Sequence, residues 1–153
     1  MEIKLNPIAY VQNSIHNVTD DHWGSVISVI ELINGTETAW QGIEEEFSHV
    51  DIIFYFHGVS DEKITYKARH PRNNKAFPEI GIFAQRGKNR PNKLGVTTVE
   101  LVELSGNTIT VKGLDAINGT PVLDVKPVMK EFLPRGEVKQ PEWSVSLMKH
   151  YWE

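Results

Sequence analysis

The sequence predicts a mainly β, single-domain protein, and three observations carry that prediction. Its apolar runs are of strand length, and glycine, proline and asparagine separate them. Strands do not alternate with long amphipathic helices, which sets aside a doubly wound α/β architecture. The chain has 153 residues, 40% of them hydrophobic, enough for one sizeable core and without a compositional break that would mark two domains.

Residues 2–11 read as a first strand, with Ile3, Leu5, Ile8 and Tyr10 on apolar positions and Pro7 marking a bulge or an edge. A polar loop over 13–24 follows, and its Trp23 is either a plug over the core or a ring for stacking on a nucleobase. Residues 25–33 form a second strand, apolar enough for burial on both faces, that closes at an Asn34-Gly35 turn. Over 40–47 the sequence allows one or two helical turns, with Glu44, Glu45 and Glu46 on a solvated face. The most apolar strand, HVDIIFYFHG over 49–58, ends with His57 before Gly58. A histidine there serves either as a hydrogen-bonded rim residue or as a catalyst.

Residues 64–69 and 80–85 read as short strands on either side of the loop HPRNNKAFP. After RGKNRPNKLG comes a strand over 96–104, then a Ser105-Gly106-Asn107 turn and a strand over 108–113. That hairpin alternates cleanly, with Ile109 and Val111 on one side and Thr108, Thr110 and Lys112 on the other. An Asn118-Gly119 turn leads to the last strand, 121–128. Pro141 then opens EWSVSLMKHYW, where Trp143, Leu147, Met148, Tyr151 and Trp152 share one helical face that caps the core or meets a second copy.

Composition excludes several chemistries. Cysteine is absent, so disulfides, thiolate metal ligands and thiol nucleophiles are out. The six histidines are scattered without zinc spacing, so no metal is expected. Neither a GxGxxG turn nor a P-loop pattern occurs, and no serine sits in a nucleophile-elbow context. The start, MEIKLNPIAYV, has no basic stretch followed by an apolar one, and no run could cross a bilayer, so the expectation is a cytoplasmic protein without a membrane partner.

Net charge is −4, yet 69–93 holds Arg69, Arg72, Lys75, Arg86, Lys88, Arg90 and Lys93 against the single acid Glu79. Such a window is either a solvated loop or a local contact for phosphates. Arg86 and Arg90 flank a turn shaped by Gly87, Pro91 and Asn92, and fork-shaped guanidiniums held in place recognise carboxylates and phosphates. Asp115 and Asp124 lie on either side of the Asn118-Gly119 turn. Carboxylates beside a basic loop form either structural ion pairs or an acid/base pair aimed at a ligand, and spacing alone leaves both open.

Four ordered motifs resemble those of the TsaA-like tRNA-methyltransferase O family. FSHVDIIFYFH resembles FSHxWxxFxFH, and ARHPR resembles RPPR. GIFAQRGKNRPNKLG is similar to GxFATRSPxRPNPIG, and GLDAINGTPVLDVKP to LDxxDGTPVxDIKPY. The likeness runs over about 7–128, and four motifs in order are far more specific than one. It implies a compact β-barrel-like domain with short helices and a C-terminal helix, a homodimer, and S-adenosylmethionine as cofactor. It also implies methylation of N6 of threonylcarbamoyl-adenosine beside the anticodon of tRNA.

Carried over by motif position, His57, Gly58, Arg86, Val96, Leu114, Asp115, Ala116 and Ile117 line the cofactor pocket, and Trp23 falls near a further cofactor loop. Asp115 is the first candidate base and Asp124 the second, while Arg69, Arg72, Lys88, Arg90 and Lys93 are the RNA contacts. Asn92 and Lys126 also match the motifs. The sequence departs from the family at RGKN for RSPF, at Lys93 for a proline and at Asn118 for an aspartate. Residues 1–134 are read as the cofactor domain and 135–153 as an extension without a family pattern. Two alternatives stay open, an S-adenosylmethionine enzyme acting on another RNA or a small molecule, and a non-catalytic module that binds the cofactor.

Overall fold

A computed structural model describes residues 1–34 and 37–153, so Gly35 of the expected Asn34-Gly35 turn lies outside the described residues. The strands are β1 (Ala9–Gln12), β2 (Ile27–Leu32), β3 (His49–Tyr55), β4 (Ala68–Arg69), β5 (Ile80–Gly81), β6 (Leu94–Ser105), β7 (Thr108–Lys112) and β8 (Pro121–Pro127). Six of them close into an antiparallel barrel in the order β1-β2-β7-β6-β3-β8, with β8 returning to β1 through Ala9↔Val122. Closure removes free sheet edges over most of the circumference.

Side-chain alternation explains why these stretches form the wall. Val50, Ile52 and Phe54 of β3 are at most 1% exposed and point inward, with Ile109 and Val111 of β7 facing them across the core. Ile30, Val99 and Val122 complete a filled interior, as a small barrel requires. At Gly95 a β-carbon would stand 2.5 Å from the Phe54 ring, so the ring takes the space that a side chain would need.

Several expectations are corrected. The first strand is Ala9–Gln12 rather than 2–11, because pairing with β2 and β8 starts only after Pro7. β2 is buried on one face, its residues alternating between core and surface as a barrel wall dictates. Beyond the two-residue ribbon β4–β5, the segments expected as strands turn instead through 3-10 geometry at Ile82–Ala84, and Gln85 Nε2 bonds the carbonyls of Arg69 and Ile80. The helical turns before β3 are present as a 3-10 turn over Glu37–Trp40 and a helix, α1, over Ile43–Glu46. Glu46 is exposed, and the side chains of Glu44 and Glu45 lie outside the described residues.

The C-terminal helix, α2, covers only Glu142–Leu147. Tyr151 and Trp152 lie beyond it in turns, because backbone groups 150–151 bond the 22–23 loop instead of extending the helix. Among the described residues, no helix is long and apolar enough to cross a membrane.

Candidate functional site

β6 outruns its neighbour. Residues 100–105 pair with β7, whereas 94–99 pair with β3 alone, so the first half of β6 has one edge without a strand among the described residues. The excursion over 56–93, which leaves β3 and returns at β6, comes back to this edge. There Arg86 donates from Nη2 to the Val96 carbonyl at 2.5 Å. Val96 faces outward and is 44% exposed, while Thr97 turns inward and is 6% exposed.

Asp115 lies where the chain has left β7 and no ladder fixes it. Its loop is anchored by the segment that follows β1, with Asn13 Nδ2 donating to the Ala116 carbonyl at 2.9 Å and the Asn118 N–H to the Ile15 carbonyl at 2.7 Å. Both carboxylate oxygens accept a hydroxyl, Oδ1 from Thr97 Oγ1 and Oδ2 from Tyr151 Oη. Burial first, and then the charge and hydrogen bond of Asp115, push the Tyr151 phenol well above its ordinary range, so it remains a protonated donor. Sequence reading missed both hydroxyls. Thr97 is signalled only by its inward place in the alternation, and Tyr151 by nothing local.

The segment that delivers Tyr151 is itself held. The N–H groups of His22 and Trp23 bond the carbonyls of His150 and Tyr151 at 3.1 and 2.8 Å. A β-carbon on Gly24 would lie 1.9 Å from the Trp152 carbonyl oxygen, so only glycine permits this approach. The same loop is tied to the excursion by Arg72, which grips both oxygens of Asp21 at 2.9 and 2.8 Å and the Asp20 carbonyl at 2.8 Å. The hydrogen bond from Arg72 is the main cause holding the Asp21 carboxyl below its usual value.

This geometry revises the basic window. Arg72 is engaged by Asp21, and Lys93 is buried with its ammonium 2.5 Å from Asp61 Oδ1. Arg90 holds the turn through the Gln85 and Gly87 carbonyls at 2.9 and 3.4 Å, and Arg69 bonds Asn73 Oδ1 at 2.7 Å. Each of these four cations thus has a partner within the chain, an acid for Arg72 and Lys93 and a neutral oxygen for Arg69 and Arg90. Lys75 is exposed and Lys88 half-buried.

Other expected site residues separate. His57 and Gly58 are exposed just past the end of β3, at the β6 entry. Ile117 is half-buried in the Asp115 loop, while Leu114 and Ala116 belong to the core at 0% and 4% exposure. Trp23 is 3% exposed and plugs instead of offering a face for stacking. Asp124 faces outward beside Ile53, pairs with Lys126 at 2.6 Å and accepts the Val125 N–H, so it lies on the opposite face of the wall from Thr97. The two candidate carboxylates therefore do not form one acid/base pair.

The donor set suits a ligand that carries both a cation and a carboxylate. Arg86 offers a guanidinium, Asp115 an anionic acceptor, and Asn89 Oδ1, in the Arg86 loop, is buried without a hydrogen-bond partner among the described residues.

A closed six-stranded antiparallel barrel, with a guanidinium and a carboxylate near the unpaired half of β6, defines a small β-barrel domain, in contrast to an α/β fold with a crevice between strands. The same fold appears in a crystal structure of TrmO from Pseudomonas aeruginosa, with TM-score 0.72 and 25% identity, over 91% of this chain and 62% of that one. A model described as the tRNA-methyltransferase O N-terminal domain matches residues 19–132, and the chain belongs to that family. The family indicated by the four motifs is thus the one matched.

A human relative named tRNA (adenine(37)-N6)-methyltransferase is 38% identical over 110 residues, which cover 72% of this chain and 24% of that protein. A Methanothermobacter thermautotrophicus relative named probable S-adenosyl-L-methionine-binding protein is 30% identical, over 86% of this chain and 93% of its own length. The chain thus spans about a quarter of its human relative and nearly all of the archaeal one.

Proposed function

We propose that this protein is an S-adenosylmethionine-dependent methyltransferase acting on N6 of threonylcarbamoyl-adenosine beside the anticodon of tRNA. Family membership and the names of the human and archaeal relatives support the reaction class and the cofactor. The observation that carries the reading is Asp115, an oriented carboxylate next to the open edge of β6 and inside the family-matched segment.

Arg86 is assigned to the cofactor carboxylate, and Asn89 Oδ1 with the exposed His57–Gly58 turn to its polar groups, beside the apolar Val96. When bound, S-adenosylmethionine supplies an electrophilic methyl carbon. The chain's contribution is to hold the acceptor nitrogen against it and to take up a proton. An adenine exocyclic amine is a weak nucleophile because its lone pair is delocalised, and a carbamoyl substituent weakens it further while making its N–H more acidic. The Asp115 carboxylate receives that proton, which is why its orientation matters.

The finer assignments are proposals of the same kind. Residues 1–134 are the cofactor domain and 135–153 an extension, and the protein works in the cytoplasm. Arg69, Lys88 and Arg90, which have no acidic partner among the described residues, are the first candidates for tRNA phosphates, followed by Arg72 and Lys93. Tyr66, Phe83 and Val96 stand 76%, 73% and 44% exposed along the excursion and the β6 edge, which supports a homodimer whose second copy covers this rim.

The decisive experiment incubates the protein with S-adenosylmethionine and tRNA carrying threonylcarbamoyl-adenosine, and analyses the nucleosides by mass spectrometry. A mass gain of one methyl on that nucleoside is expected. Asp115→Asn is expected to keep cofactor affinity in calorimetry while losing roughly 100-fold or more in turnover. Normal turnover by that variant removes Asp115 as the base. Cofactor binding without methylation of any RNA favours the binding-module reading, which the name of the archaeal relative suggests.

A further inference from the structure

We infer that Tyr151, outside the family-matched segment 19–132, is a positioning residue that sets the orientation of Asp115. The inference rests on the reading of Asp115 as the base. A carboxylate in a loop after β7 has no ladder to fix its rotation, and both of its oxygens are engaged by hydroxyls from elsewhere, Thr97 of β6 and Tyr151. A base held by a second group is the recurring arrangement of acid/base sites.

Tyr151 is suited to that task because its own place is overdetermined. Its carbonyl accepts the Trp23 N–H at 2.8 Å, and the preceding carbonyl, of His150, accepts the His22 N–H at 3.1 Å. Its ring meets Trp152 edge to face with centroids 4.8 Å apart, and the Trp152 backbone fits against Gly24 where no side chain could stand. The phenol connects through Asp115 to Thr97, whose chain neighbour Val96 accepts the Arg86 bond from the excursion. The C-terminal segment thereby forms one wall of the site, in addition to covering the barrel.

The test uses the full chain and two variants. Tyr151→Phe removes one oxygen and keeps the ring, while Gly24→Ala pushes the whole segment away without altering Asp115, Thr97 or Arg86. Both are expected to lower kcat by roughly ten- to a hundredfold on threonylcarbamoyl-adenosine tRNA. KM for S-adenosylmethionine in Tyr151→Phe is expected to stay within about twofold, the signature of a group acting only on the chemical step. A crystal structure of Tyr151→Phe, which needs no turnover, should show the Asp115 carboxylate rotated away from the Thr97-bonded position.

An unrotated carboxylate overturns the inference, as does an unchanged kcat in either variant. A kcat that rises, or cofactor affinity that tightens when Gly24→Ala displaces the segment, also overturns it and makes the segment an obstructing plug. Failure of the base assignment is separate, because it shows as normal turnover by Asp115→Asn whatever Tyr151→Phe does.

Discussion

Lys93 has φ 51°, a left-handed conformation that side chains with a β-carbon seldom adopt and that a proline ring cannot reach. Asn92 before it has φ 63°. Such residues cost about 1–3 kcal/mol each and persist where neighbours enforce them. Here the Lys93 N–H bonds the Arg90 carbonyl at 3.1 Å, and its ammonium lies 2.5 Å from Asp61 and 5.6 Å from the Tyr55 ring centroid. The bond to Asp61 is the main cause raising the Lys93 ammonium above its usual range. Because the family pattern has a proline here, this turn has a shape that the family residue could not share. Lys93→Pro, which restores the family letter, is therefore expected to destabilise the fold by more than about 1 kcal/mol in urea denaturation. An unchanged midpoint would show that the turn is not enforced.

Between elements, the Arg72–Asp21 grip ties the loop before β2 to the excursion between β3 and β6. Both side chains are only about a quarter exposed, 26% and 24%, so screening leaves the pair a contribution of about 1 kcal/mol or less. Its pH dependence has a definite sign. Asp21 titrates below its ordinary value of 3.8 in the folded chain, so the pair stabilises the fold above that value. The contribution is lost as pH falls through the lowered folded value. Chemical denaturation at about pH 6 and about pH 2.5 should show a smaller loss of stability in Arg72→Ala than in the parent protein. Equal losses would mean that the pair contributes nothing in solution. The same link bears on the site, since the tethered loop is the one whose His22 and Trp23 amides hold the Tyr151 segment.

On the scale of the molecule, barrel closure still leaves residues 94–99 of β6 with one edge unpaired among the described residues, and Arg86 and Thr97, the partner of Asp115, lie there. Phe83 and Tyr66, in the excursion that returns to β6, expose 73% and 76% of their surface to water. In the proposed homodimer a second copy covers this rim. Light scattering should give twice the mass of the 17.4 kDa chain, and Phe83→Asp should give the single mass with weaker S-adenosylmethionine binding. A single mass for the parent protein at micromolar concentration would exclude the dimer.

Much of the wall was legible in the sequence because alternation and turn residues are local properties. Ile109 and Val111 on one face, the Gly106 turn and the run Val50–Ile52–Phe54 follow from a period of two. The family was legible for a related reason, since its motifs are short contiguous stretches around Arg86 and Asp115. Reading failed where a segment's partner is remote. A helical period in the last residues put Tyr151 on a helix face, yet backbone bonds to the 22–23 loop stop α2 at Leu147. A charge run does not reveal which of its cations meet an acid, and here Asp21 pairs with Arg72 and Asp61 with Lys93.

The sequence by itself determined the β class, the strand alternation and the family. Tertiary structure alone set Asp115 between two hydroxyls, separated Asp124 from it by the barrel wall, and brought Tyr151 to Asp115 across 36 positions and Arg72 to Asp21 across 51. Those meetings depend on closure of the barrel, which fixes where each loop emerges, and no spacing within a single stretch encodes them.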